Sequence, residues 1–467
     1  MRRLTMLRIS PLIWISPILA WLAWMFVTSM ASLQLDPYPL TLTAAGTAAL
    51  LIVAPVCAAG GAWEGGRLRR AGWFTLPHVR TPLTVAITAL LPTLLVGSLI
   101  TFGIIGVRLI IGGVLLPDIR VIITTLVVLT THTLLGFAIG VRMPMVVSVP
   151  LVFLVDFFAL GLPLTLEPLW LRHLTGIWPS CCLIGADLAP AALLGALVFT
   201  GGLAVTAGLL LHPYLTAFRL ALALLPAIIG AGAGVQFVRG FGPDPTIARD
   251  PALLVCSTGQ PRVCVWPEHQ PRLEEVAAIA ASAGAAWQQA GIAVPDEFSE
   301  GQPGSPTVRG FGFSMRSDHY TILNALAYSL LPPWPECAFS GISPYLGAPA
   351  EGYVLAWLNT IAGMPPEQLA SRFSPDQLQV VATVRALPLE RQQAWLERNL
   401  VALEQCNIPP RTRASAPEVS GDTGAVGVVP QATSRESKTK KSDNRGTILS
   451  NSFMCLQPLC CNPKEYR

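Results

Sequence analysis

The stretch LALALLPAIIGAGAGVQFVRGFGPDPTIARDPALLVCSTGQPRVCVW, residues 220–266, decides how this chain is organised. It opens as a long apolar run, Leu220 to Val238, crosses a Gly/Pro seam, Gly240 to Pro245, and enters a cysteine pair, Cys256 and Cys264. A run of that length and apolarity suits a bilayer, which asks for about 20 such residues. The cysteines that follow sit among turn and charged residues, as in a water-exposed domain. The seam therefore joins a membrane half to a soluble half, and the side of the bilayer on which it emerges decides whether the cysteines can be oxidised.

The 467 residues are 52% hydrophobic and 12% charged, with a mean hydropathy of +0.54. A soluble domain carries about 25% charged residues. The average hides a split: residues 1–240 hold long Leu/Ile/Val/Ala runs, and residues 241–467 hold most of the Asp, Glu and Lys. A net charge of +4 gives no footing for a nucleic-acid partner. The basic start, MRRLTMLRIS, precedes a run long enough to span, with no clear small-residue cleavage site, so the first run reads as a retained span.

Seven runs qualify as spans: Pro11–Met30, Leu40–Ala62, Leu83–Val107, Ile119–Gly140, Met145–Leu162, Ala191–Leu211 and Leu220–Val238. Only VRMP divides the fourth from the fifth, and Pro144 and Pro150 there predict a tight reversal or an irregular helix. With the N-terminus in the cytoplasm, the inside segments carry Arg2, Arg3, Arg8, Arg67, Arg69, Arg70, Arg80, Arg142 and Arg219. The outside loops carry only Arg108, Arg120 and Arg172. That bias sets the orientation, and seven spans then place the C-terminal domain outside. One span more or fewer would reverse its side.

His132, in the fourth span, and Asp156, in the fifth, are ionisable residues at membrane depth and so candidate functional residues. Against this stands a neutral His132 bonded within the bundle and an Asp156 near an interface. Small residues in GGLAVTAG and IIGAGAG predict close helix packing. In the loop Pro163–Pro190, Trp170 and Trp178 fit an interfacial belt, and Cys181 and Cys182, being adjacent, read as packing residues rather than partners.

The segment AWEGGRLRRAGW, residues 62–73, resembles the cytoplasmic side of membrane subunits of bacterial ABC-type exporters of the type-two permease class. The small-residue spans and WLRHLTG share in the resemblance, which covers residues 1–240. It implies a transport subunit energised by a separate ATPase chain, docked near Glu64, Arg67, Arg69 and Arg70, and paired as a homodimer or with a second membrane subunit. Those same charges also serve as a topology anchor to lipid phosphates. The chain has no G-x-x-x-x-G-K-[ST] loop of its own. The segment CSTGQPRVCVWPEH resembles an extracytoplasmic C-terminal domain of unknown function attached to some such proteins. Seven spans and an outside domain exceed the usual six, which leaves a membrane-anchored receptor or scaffold as the alternative.

Residues 246–408 read as a small, mostly helical α+β domain. Leu253–Val265 predicts two strands across STGQP. Helices are predicted at Pro271–Ala290, Asp318–Leu331, Ala350–Ala362, Pro375–Ala386 and Leu389–Gln405, with an extended stretch at Thr307–Met315. Ser374, Pro375 and Gln377 spell a capping box. The expected disulfides are Cys256–Cys264 and Cys337–Cys406, among three pairings that four cysteines allow. A zinc site on Cys256, Cys264 and His269 is the rival, with spacing unlike a zinc ribbon. Glu268–His269 and Asp318–His319 are acid–His pairs that a hydrolase could use, but no H-E-x-x-H or G-x-S-x-G accompanies them. The expectation is no enzyme, no cofactor and no metal. Residues 409–467, with Cys455, Cys460 and Cys461, read as a disordered tail.

Overall fold

A computed structural model describes residues 11–30, 36–73, 81–212, 216–301, 305, 307–340 and 345–411. Arg2, Arg3, Arg8, Arg80, the three C-terminal cysteines and the tail from residue 412 lie outside them. Among the described residues, seven helical segments are long and apolar enough to cross a membrane, and their order is the one read from the sequence.

The first span is α1 (Pro11–Met30). The second is α2 (Pro39–Gly46), a single 3-10 turn, then α3 (Leu50–Arg70). The rest are α4 (Pro82–Ile111), α5 (Ile119–Arg142), α6 (Met145–Gly161), α7 (Pro190–Leu210) and α8 (Ala217–Val238). The VRMP junction is a tight reversal: α5 ends at Arg142, and Pro144 caps α6, which runs through Pro150 unbroken. The second span is the one most enclosed by its neighbours. In its apolar stretch 83% of residues are buried, against 22% in α1, α6 and α8.

Two of the expected boundaries are wrong in an informative way. The second span does not end at Ala62. It continues as helix to Arg70, so AWEGGRLRR is the last two turns of α3 rather than a loop. Glycine permits this. A Cβ on Gly61 would stand 2.3 Å from the Thr133 carbonyl oxygen, and one on Gly136 would stand 1.9 Å from that of Ala58. Gly65 and Gly140 repeat the arrangement one turn on. Two G-x-x-x-G faces thus bring α3 and α5 into backbone contact. The third span extends past Val107 to Ile111, which draws Arg108 out of the expected loop and into the helix.

The C-terminal domain carries a four-stranded sheet ordered β3 (Val255–Cys256), β4 (Arg262–Val265), β5 (Glu297–Ser299), β6 (Val308–Gly310). The first pair is antiparallel and the other two are parallel. Helix α9 (Leu273–Gln289) makes the crossover from β4 to β5, with Val276, Ala280 and Trp287 turned into the core. Strand β5 was not foreseen; three residues are too few to show a period of two. Against this layer pack α10 (His319–Ser329), the short α11 (Cys337–Ser340), α12 (Ala350–Ile361), α13 (Pro366–Ala370), α14 (Pro375–Arg385) and α15 (Leu389–Glu404). The capping box at Ser374 and Gln377 is present.

Trp287, Trp357 and Trp395 are fully buried at the centre. Each indole N–H finds an acceptor: Leu358 O at 3.0 Å, Gln392 Oε1 at 3.2 Å and Arg411 O at 2.8 Å. An indole buried without that acceptor would give back much of what its large ring gains.

Candidate functional site

Loops that the sequence separates meet on one face of the bundle. Asp36 and Tyr38 precede the second span, Asp118 caps the fourth and Arg120 lies in its first turn, and Asp187 precedes the sixth. Arg120 Nη2 lies 2.7 Å from both Asp118 Oδ2 and Asp187 Oδ1. Next to Asp187, β1 (Ala186–Leu188) pairs with β2 (Thr246–Ala248), the strand that follows the seventh span. The soluble domain begins here. Arg142, at the other end of α5, donates to Leu210 O at 2.6 Å and to His212 O, between the sixth and seventh spans. The four odd-numbered exits thus share the domain's face, and the Arg67–Arg70 end of α3 lies at the other.

His269 is the centre of the joint between domain and bundle. The 3-10 turn Pro267–Arg272 buries it completely. Its Nδ1 lies 2.8 Å from Glu300 Oε1, and its Nε2 lies 3.6 Å from Asp36 Oδ1, an ion-pair distance. Glu300 is fixed by the Trp266 backbone N–H at 2.9 Å, and Asp36 by that of Met315 at 3.3 Å. Burial pushes the imidazole pKa down, but the bonds and charges of Asp36 and Glu300 outweigh it and raise it to about 9. Burial acts upward on Asp36, and His269 and Ser314 more than reverse it, so its carboxyl sits below its ordinary value. An imidazolium held between two carboxylates, one from each half, is a charged pin.

A second clasp lies beside it. Arg249 forms a bidentate pair with Glu268, at 2.8 and 2.9 Å. Its guanidinium lies 4.6 Å from the Tyr38 ring and 4.7 Å from the Trp266 ring, so one cation binds a ring from each half. Burial raises the Tyr38 hydroxyl to about 12, and that hydroxyl donates to Ala186 O at 3.1 Å. Trp178, expected at the lipid interface, is instead buried with Tyr38, Leu188 and the Cys181–Cys182 pair. Cys181 and Cys182, expected only to pack, have their sulfurs at bonding distance.

Neither acid–His pair of the sequence is a pair in space. Glu268 is held by Arg249. Asp318 caps α10, accepting from Thr321 N at 2.6 Å, and contacts Arg372. His319 lies across a shallow depression from Glu275, which Arg272 already binds at 2.7 Å. The cysteines pair as expected, Cys256 with Cys264 and Cys337 with Cys406. The first bond removes both thiolates from any zinc site with His269, and no cluster of three or more metal-ligating side chains occurs among the described residues.

Within the bundle, His132 and Asp156 are brought together. The ring Nδ1 faces Asp156 Oδ1 across the α5–α6 contact, with both side chains nearly buried. Asp156 Oδ2 is buried without a partner. At the far end of α3, Arg67 Nη2 lies 2.7 Å from Oε2 of buried Glu64, while Arg69 and Arg70 are exposed. Sequence reasoning found His132, Asp156 and the Arg cluster. It missed Asp36, Tyr38 and Arg249, whose only signal is that they follow odd-numbered exits, and Glu300, which directly follows the unforeseen strand β5.

Among known proteins, the family described as a domain of unknown function (DUF7224) matches residues 263–406, less than a third of the chain. No curated protein and no solved structure matches it.

Proposed function

We propose that the chain is a multi-pass, permease-like subunit of an ABC-type export system in a bacterial cell membrane, driven by a separate ATPase chain. In this reading the Arg67–Arg70 end of α3 faces the cytoplasm and receives the ATPase. The domain lies outside, where its cysteines are oxidised. One observation carries the reading. The second span is a continuous, enclosed rod whose first residues sit beside the His269 joint and whose last are an exposed arginine cluster. A movement imposed at the cluster has a rigid path to the outside domain, and the G-x-x-x-G contact with α5 makes α3 hard to displace alone.

The test is a pull-down of the tagged full-length protein from its own cells in mild detergent, with partners identified by mass. An ATPase carrying a G-x-x-x-x-G-K-[ST] loop should be recovered, and should be lost when Arg67, Arg69 and Arg70 are changed to Ala. Intact protein without an ATPase would move the reading to a receptor or scaffold.

A further inference from the structure

Arg108 lies in the last turn of α4 and is 6% exposed. Its Nε is buried without a partner, and its guanidinium makes no ion pair within the described residues. The acids of this face are engaged elsewhere. Asp118 accepts from the Arg120 and Val121 backbone N–H groups and from the Arg120 guanidinium. Asp187 holds the same guanidinium, and Asp36 faces His269. On the same turn as Arg108, Ile105 and Leu109 pack against Leu42, so its surroundings are apolar.

A guanidinium cannot shed its proton to escape this position. A buried cation with no counter-charge is strongly disfavoured, so its partner lies beyond the described residues. The neighbouring side chains say where. Ile110 is 76% exposed, and Leu115 and Leu116, in the loop that follows, are 93% and 76% exposed. Large aliphatic side chains standing free around the end of a span belong in lipid, so this end of α4 meets the bilayer close to its headgroups. Arginine is also the side chain best matched to phosphate oxygens, through paired N–H donors.

We propose that Arg108 is a phosphate-binding site, occupied by the headgroup phosphate of a phospholipid in the leaflet on the domain's side. The proposal rests on the bilayer reading and not on transport. The test uses the full-length protein in a neutral sugar detergent, which supplies no phosphate. Melting temperature is measured alone, with phosphatidylglycerol, with a phosphate-free glycolipid, and with inorganic phosphate, for wild type, Arg108→Gln and Arg108→Lys.

Phosphatidylglycerol should raise the wild-type midpoint by about 3 °C. The glycolipid should not, Arg108→Gln should not respond, and Arg108→Lys should respond in part. An equal rise with inorganic phosphate would keep the phosphate site and make its source the free ion. Two results would overturn the proposal: an equal response of wild type and Arg108→Gln to phosphatidylglycerol, or a lower melting point of Arg108→Gln in detergent alone, which would reveal a partner inside the chain.

Discussion

At the scale of single residues, His269 holds the consequential charge. Its pKa is raised to about 9 from an ordinary 6.5 because Asp36 and Glu300 stabilise the imidazolium. A raised histidine pKa contributes stability that is fully present below 6.5 and is lost as pH rises through about 9. We predict that the melting temperature of the full-length protein falls across that window, and that His269→Gln flattens the fall. Asp36→Asn, which leaves the imidazolium with Glu300 alone, should cost about 3 kcal/mol, the scale for opening one side of a buried pair. A wild-type pH profile identical to that of His269→Gln would remove His269 from this role.

The pair inside the bundle obeys the same logic in lipid. Removing either His132 or Asp156 leaves the other without its partner, so His132→Ala and Asp156→Ala should each destabilise by about 1–2 kcal/mol. The double variant should fall short of the sum, because both single changes remove one interaction. Strict additivity in detergent melts would show that the two side chains touch without stabilising each other.

At the scale of elements, the crossing of α3 and α5 is the tightest test of the bundle. Gly136→Ala would drive a methyl into the Ala58 carbonyl, and the helices must part to relieve it. We expect a loss of about 2 kcal/mol or more. Gly103→Ala in α4 meets nothing within 4 Å and serves as the control. Equal melting points for the two variants would mean that the glycine contact does not hold the helices.

The disulfides divide by the lengths they close. Cys337 and Cys406 are 69 residues apart, and Cys256 and Cys264 only 8. Chain-entropy reasoning assigns about 4 kcal/mol to the first and about 2.5 to the second. Denaturant unfolding of Cys337→Ser and Cys256→Ser, without reductant, measures both, and a larger loss at Cys256 would refute the ranking.

The elements also show what a single sequence can disclose. The spans and long helices were legible because apolar length and a period of 3.6 are local signals. Strand β5, a three-residue Glu-Phe-Ser, was not, because its place is set by the strands on either side. The sequence expects the second span to end at Ala62, before the arginines of AWEGGRLRRAGW, whereas the helix runs on to Arg70. Its glycines have a further use, legible only once α5 is seen lying against them. His132 and Asp156 were found separately, since the unbroken course of α6 is what sets one against the other.

At the scale of the whole molecule, the parity of the crossings decides which groups can meet. The domain's partners in the bundle, Asp36, Tyr38, Ile184 and Ala186, all come from exits after the first or fifth span. The domain itself follows the seventh. An odd number of crossings before each is the simplest way for one face to collect them all. An even count anywhere would send one of these contacts through the bilayer. The arginines at the end of α3 follow the second helical segment and lie at the opposite end of the bundle. This yields a prediction independent of any transport activity. In sealed inverted and right-side-out vesicles, a membrane-impermeant thiol reagent should label Arg70→Cys from one side only and Glu274→Cys from the other only. Both changes are made in a chain in which Cys455, Cys460 and Cys461 are replaced by Ser, Cys57 remains buried and the domain cysteines remain oxidised. Positive-inside bias predicts that Arg70→Cys is the one reached from the cytoplasm. Labelling of both from the same side would break the seven-span topology, and with it the rod that links the arginine cluster to the His269 joint.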